Sequence, residues 1–326
     1  MPKKLSNKNQ TERHNPILFF ICFIAVIVIV ALIADYLTDG TFIQITNLNV
    51  IISNSIYPCI IAWALCFFFA AGYYDLSLGG IVVLASFGTC VLGNLYGYPG
   101  VIIGGMAVGT LLVLLNFTIF VFARVPTWIT SLSLTLIYEG IAIYLRANPY
   151  TKQYIDVALG KNYRAIGNAP WNIYLLIAIF IIVYLVYYRT NIGLNIRALG
   201  GNKEVSRALG VNTVKTLMLT GLICGLLIGA SSVVQQSYNA RTTPATALTS
   251  LQLMFKPLAI ALLAQILQKR MSIIVAVPFC SIIIYGVFNL MTFFHVPTST
   301  LQDVFLCVFV IAFGLVGQRG VKEVVK

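Results

Sequence analysis

Two carboxylates stand in stretches of this chain that are otherwise almost wholly apolar. Asp75 lies in A-G-Y-Y-D-L-S-L-G-G (Ala71 to Gly80), two residues before Ser77, and Glu139 follows Tyr138 in a run that stays apolar until Arg146. An ionisable group at the centre of a bilayer costs about 2.5–3.5 kcal/mol on insertion scales, so each must be buried in protein or line a cavity. For Asp75 two uses are open: contact with a solute path, or capping, with Ser77, of the helix that follows, because a side-chain oxygen accepts the orphan N–H groups of a helix start. For Glu139, contact with solute hydroxyls stands beside pairing with a cation on a neighbouring segment. Asn116, Gln235, Gln236 and Asn289 both donate and accept, which suits a hydroxylated solute and suits interhelical hydrogen bonds equally.

Enzyme chemistry has little to build on. The two histidines, His14 and His295, are far apart and the nine acids are dispersed, so neither acid–base nor metal-assisted catalysis has a cluster of groups; no catalytic or metal-ligating residue is assigned. Seven cysteines (Cys22, Cys59, Cys66, Cys90, Cys224, Cys280, Cys307) all fall in apolar runs without a C-x-x-C pair, and read as small fillers between helices.

The elements that position these groups follow from composition. Of 326 residues 59% are apolar and 9% charged, with a mean hydropathy of +0.92, too apolar for one water-soluble core. Ten stretches are long enough to span a bilayer: 17–34, 49–71, 78–95, 99–122, 126–145, 170–188, 214–236, 249–267, 272–293 and 299–317. The first is a retained signal anchor behind a basic tail. The net charge of +12 reflects topology, since Lys and Arg are retained in the cytoplasm. With the amino terminus inside, the tail, Arg124, the 189–215 loop, Lys269, Arg270 and the carboxyl end carry all but six of the 21 cations. The six are Arg146, Lys152, Lys161, Arg164, Arg241 and, near the outer end of a span, Lys256. The chain therefore reads as all-α and polytopic, about ten transmembrane helices with both termini cytoplasmic; no nucleic-acid partner is expected. A cytoplasmic tail (1–16), one membrane domain (17–317) and a second tail (318–326) make up the domain organisation. Within the domain lie an external loop, 147–169, and a cytoplasmic one, 189–215.

The glycines have two uses. Gly100, Gly104, Gly105 and Gly109 in the fourth span, and Gly221, Gly225 and Gly229 in the seventh, give small-xxx-small spacing for close helix packing. In the cytoplasmic loop, Gly200 and Gly201 are expected to break the preceding structure and Asn202 to cap a short helix over Lys203 to Leu209. Glu204 and Arg207 are spaced to pair, and Gly210 fits the left-handed stop. Val205, Ala208 and Leu209 would share one apolar face, and a two-turn helix of this length persists only with tertiary support, which a partner protein can supply.

The stretch T-N-I-G-L-N-I-R-A-L-G-G-N-K-E-V-S-R-A-L-G-V-N (Thr190 to Asn212) resembles the cytoplasmic loop of the simple-sugar ABC transporter permeases, the membrane subunits of ribose, xylose, arabinose, galactoside and autoinducer-2 importers. A-G-Y-Y-D-L-S-L-G-G and V-P-T-W-I-T-S-L-S-L-T-L-I-Y-E-G (Val125 to Gly140) resemble two further segments of that family, in family order, over about residues 40–236. The resemblance implies a type II ABC importer-like fold in a bacterial cytoplasmic (inner) membrane and a translocation path for a monosaccharide or similar small polar solute. It makes Gly200, Gly201, Asn202, Lys203, Glu204, Arg207 and Gly210 the helix that couples to an ATP-hydrolysing subunit, and leaves Asp75, Ser77, Asn116, Glu139, Gln235 and Asn289 as path candidates. No cofactor is expected on this chain: it has no G-x-x-x-x-G-K-[ST] phosphate loop, so ATP and Mg belong on partner subunits. The implied partners are two such ATPases, a second permease and an extracytoplasmic sugar-binding protein, besides the lipid bilayer.

The chain departs from the family in two places. Relatives more often carry Arg at the position of Glu139. After residue 240, Lys256-Pro257 replaces small polar residues, an acidic segment is missing and the paired glycines are gone, which points to a divergent half that pairs with a more ordinary permease in a heterodimer. The alternatives are an ion-coupled secondary transporter, also polytopic with buried acids, and, further off, a polytopic membrane enzyme. Uptake by this chain alone under an ion gradient would separate the first from an ABC importer.

Overall fold

The computed structural model describes residues 16–123, 125–155, 159–244, 246–268, 270–296 and 300–322. The basic tail, Arg124, Lys269 and the last four residues, which enter the topology argument, lie outside them. Thirteen α-helices and no strand occur among the described residues: α1 (Pro16–Leu37), α2 (Ile45–Ala70), α3 (Leu78–Tyr96), α4 (Tyr98–Phe122), α5 (Thr127–Ala147), α6 (Pro149–Ile155), α7 (Trp171–Arg189), α8 (Asn191–Gly201), α9 (Lys203–Ala208), α10 (Thr213–Asn239), α11 (Gln252–Leu267), α12 (Ile273–Phe293) and α13 (Thr300–Lys322). Eight of the segments, α2–α5, α7, α10, Thr249–Leu267 and α12, are long and apolar enough to cross a membrane among the described residues, so the chain is an all-α polytopic membrane protein. The helices α1 and α13 coincide with the first and last of the ten apolar stretches.

A helix that is hydrophobic all round belongs at the centre of a bundle, and α2 takes that place. Ile56, Ile60, Ala62, Trp63, Ala64, Phe67 and Phe68 are fully buried, with α10, α11 and α12 packed round them and α7 beside them. The one polar atom of Trp63 is satisfied: its indole N–H donates to the Ile274 carbonyl on α12 at 3.0 Å.

The two glycine ladders pack on each other. A Cβ at Gly109 would lie 2.7 Å from Gly229 Cα, one at Gly225 2.6 Å from Thr110 Cα, and one at Gly229 2.6 Å from Met106 Cα, so α4 and α10 touch backbone to backbone. The first two members of the α4 ladder serve a different contact. Gly100 and Gly104 press on Leu92 and Gly88 of α3, closing an α3–α4 hairpin turned at Gly97 (φ +71°).

On the same side as that turn, the 147–169 loop is tied to the end of α10. The Arg164 guanidinium donates to the Ser237 and Tyr238 carbonyls at 3.3 and 3.0 Å, and Leu159 N–H donates to Ala240 at 3.0 Å. One of the cations that breaks the charge rule is thus occupied in holding a loop to a helix end, where cations are favoured.

Candidate functional site

The structure gathers four of the sequence-selected residues, with Tyr138 and Ser250, into one buried junction where two helices begin inside the bundle. After α2 the chain turns at Gly72 (φ +74°), returns without helical structure through Tyr73–Leu76 and starts α3 at Leu78. Asp75 turns back on that start: one carboxylate oxygen accepts the Ser77 N–H at 2.8 Å and the Ser77 hydroxyl at 2.6 Å. Its other oxygen accepts the Asn116 amide of α4 at 2.8 Å, and Tyr138 of α5 donates its hydroxyl to the Asn116 carbonyl. All four side chains are buried. Asp75 therefore braces the turn that leads into α3 rather than capping the helix itself, and both of its oxygens are taken; a buried carboxylate needs that satisfaction.

Among the described residues Glu139 meets no cation. Its two oxygens accept the backbone N–H groups of Leu248 and Ser250, each at 2.9 Å. Leu248 precedes and Ser250 lies within the 3-10 turn Thr249–Leu251 that leads into α11, so this carboxylate caps a helix start, where the dipole favours negative charge. The span expected over 249–267 accordingly begins as a tight turn, with α-helix only from Gln252. Glu139 lies twelve residues into α5, about 18 Å along it and near the middle of a hydrocarbon core about 30 Å thick. Ala247 (φ +54°) and Leu248 (φ +66°) are both left-handed, a conformation that costs an L-residue about 1–2 kcal/mol. The two helix starts touch: a Cβ at Gly79 would lie 2.1 Å from the Ser250 carbonyl oxygen. Beside the contact is a cavity of about 80 Å³ between Leu65, Phe69, Asp75, Leu251, Met254 and Phe255. Glu139 and the turn after residue 240 thus meet at one point.

Asn289 and Gln235 stand apart from the junction. Asn289 of α12 and Asn47 of α2 exchange two hydrogen bonds of 3.0 Å, a helix–helix tie. Gln235 is buried and its carbonyl oxygen has no partner among the described residues, while Gln236 donates to Ala240 and accepts from Thr242, closing the end of α10. Lys256 sits with its ammonium 4.7 Å over the Phe288 ring and 5.6 Å over Tyr285. Tyr138 was not singled out from the sequence; its place directly before Glu139 was the available signal.

The 189–215 loop carries the short helix where the sequence put it. Asn202 caps α9, its side-chain oxygen accepting from Glu204 and Val205 N–H at 2.9 and 3.1 Å, and Gly210 (φ +84°) follows as the left-handed stop. Two expectations change. Gly200 and Gly201 do not break the structure: they are the last residues of α8, and the break is Asn202, whose backbone is extended. Gly200 is fixed by packing, since a Cβ there would lie 2.0 Å from the Ala70 carbonyl oxygen. Arg207 does not turn to Glu204; its Nε donates to Thr213 at 3.0 Å, closing α9 onto α10.

The Lys203 ammonium lies 4.3 Å from the Tyr73 ring centroid, in the segment that leads to Asp75. Ser206 is buried and donates to the Ala198 and Asn202 carbonyls, so α9 rests on α8 by its polar side. Val205, Ala208 and Leu209 face outward and are exposed.

Comparison with known proteins gives a consistent answer. Residues 46–313 match the family described as branched-chain amino acid transport system / permease component. The ribose import permease protein of Escherichia coli K12 is 23% identical over 217 residues, 65% of this chain and 67% of the relative. The L-arabinose transport system permease protein of the same organism is 28% identical over 239 residues, 71% and 68%. The fructose import permease protein of Rhizobium meliloti is 28% identical over 222 residues, 62% and 60%. No solved structure matches the chain.

Proposed function

The chain belongs to the branched-chain amino acid transport system / permease component family, and from that premise we propose that it is the membrane subunit of an ABC importer for a monosaccharide or similar small polar solute. Two separate ATPases, which hold ATP and Mg, supply the energy, and an extracytoplasmic binding protein delivers the solute. A second permease completes the path; the missing acidic segment and paired glycines favour a related chain over a second copy. The setting is the bacterial inner membrane, crossed ten times with both termini cytoplasmic.

The observation that carries the coupling role is α9 itself. It is capped at Asn202, stopped at Gly210, seated on α8 through Ser206, and presents Val205, Ala208 and Leu209 to the cytoplasm. A packed helix transmits displacement as a unit, and Gly200 and Lys203 connect this one to the Ala70–Asp75 segment that enters the junction. Substituting Glu204→Arg at its rim, or Gly201→Pro at its base, is expected to leave membrane insertion intact and to cut solute uptake per ATP hydrolysed at least tenfold in proteoliposomes. Unchanged transport in both variants would remove the coupling assignment.

A further inference from the structure

The junction assigns a specific task to Glu139, resting on the reading of this chain as a translocation path but not on the identity of the solute. We propose that Glu139 is a positioning residue: its carboxylate latches the Ala247–Ser250 turn in the closed position, and release of that turn is what opens the path between the start of α3 and the start of α11.

Four observations carry it. Both Glu139 oxygens are already occupied by the Leu248 and Ser250 amides, and the side chain is 3% exposed, so it has little left to offer a passing solute. The turn it holds contains two consecutive left-handed residues, Ala247 and Leu248, and such strain persists only where surrounding contacts impose it. The turn closes directly on Gly79, so a displacement of Ser250 separates two helix starts at mid-depth. A cavity of about 80 Å³ lies behind it, so the turn has space to move into. Irregular backbone inside a membrane protein is tolerated where it lines a cavity, and broken helices meeting at mid-depth are where transporters change access.

The latch is tested in the complete importer, permease with its ATPases and binding protein, reconstituted in lipid. Ser250→Cys, a near-isosteric change at a buried position, reports opening through its reaction with a water-soluble maleimide, measured over the background of the native cysteines. Glu139→Gln, which replaces one accepting oxygen with a donor, is expected to raise the labelling rate at least tenfold without ATP. Leu248→Gly, which relieves the left-handed strain of the latched turn and keeps the amide that Glu139 accepts, should lower the labelling rate, opposite to Glu139→Gln; the second variant decides the matter if the first does not assemble. The apparent KM of radiolabelled D-ribose, or of L-arabinose where ribose is not carried, should stay within twofold in both variants while the maximal rate falls. A Glu139→Gln protein with a KM raised tenfold and unaltered labelling would overturn the proposal and make Glu139 a solute contact. Unaltered labelling in both variants would overturn it as well. Absence of ATP-driven uptake in the unsubstituted importer would instead strike the importer reading, and the labelling comparison would still decide the latch.

Discussion

The α4–α10 contact and the α3–α5–α11 junction hold helices together by opposite means. At the first, Gly105, Gly109, Gly225 and Gly229 bring the two helices so close that an added Cβ would collide. At the second, beside the single close approach of Gly79 to Ser250, contact depends on Asp75, Ser77, Asn116, Tyr138 and Glu139, whose hydrogen bonds orient pieces of backbone that no helix regularises. Interdigitated backbone has a single good arrangement, because dispersion falls away as soon as the surfaces part. Hydrogen bonds can be exchanged for others with little net loss, each being worth about 0.5–1.5 kcal/mol. The glycine contact is therefore suited to be the fixed frame, and the junction the part that changes.

The largest expected effect tests the frame. Gly229→Leu keeps the helix apolar, so insertion is unaffected, but forces α10 off Met106 and Gly105. Overpacking typically costs 1–3 kcal/mol, and with backbone as the obstacle the cost should reach about 3 kcal/mol or exceed it. Purified protein should then be aggregated or absent in size-exclusion chromatography. A well-behaved, transport-active Gly229→Leu protein would show that the α4–α10 contact can shift, and the division into frame and moving part would fail.

How much of this could be read from sequence differs between the regions for the same reason. The glycine ladders show as a spacing of four within one helix, although nothing local says that Gly109 faces Gly229. The Asn202 cap and Gly210 stop are legible because caps act over three residues. Gly200 reads from the sequence as a helix breaker and is not one, because its need for a missing side chain arises from Ala70, in another helix. Glu139 was expected to find a cation or a solute; its partners are the amides of Leu248 and Ser250, and backbone amides leave no signature in a sequence. A cap by Asp75 and Ser77 is one of two open readings; the structure shows the two residues bonded to each other ahead of α3 and adds Asn116 and Tyr138, which only tertiary packing brings there.

A middle-sized effect is expected at the other end of the junction. Asn116→Leu leaves Asp75 short of a donor and Tyr138 short of an acceptor, both buried, and an orphaned buried polar group costs about 1–3 kcal/mol. Tyr138→Phe removes one hydrogen bond and should cost about 1 kcal/mol. Combining the two should cost less than their sum, since the phenylalanine no longer needs the acceptor that leucine lacks. Thermal unfolding of the purified permease in detergent checks the three variants together. Strict additivity would mean that Asn116 and Tyr138 do not act as one network.

The smallest expected effect lies outside the bundle and sharpens the contrast between a fixed frame and a part that moves. Asn202→Ala removes the side-chain acceptor for Glu204 and Val205 N–H and should destabilise α9 by about 1 kcal/mol while leaving Ser206 seated on α8. Amide hydrogen exchange at residues 204–209 should speed up about fivefold, the ratio that such a free energy produces, with α4 and α10 unchanged. Uptake per ATP hydrolysed should fall by a similar, modest factor, because a frayed helix follows a partner's displacement less faithfully than a capped one. Faster exchange with no loss of coupling would mean that α8, held through Gly200 against Ala70, transmits the movement and that α9 only supplies the docking surface.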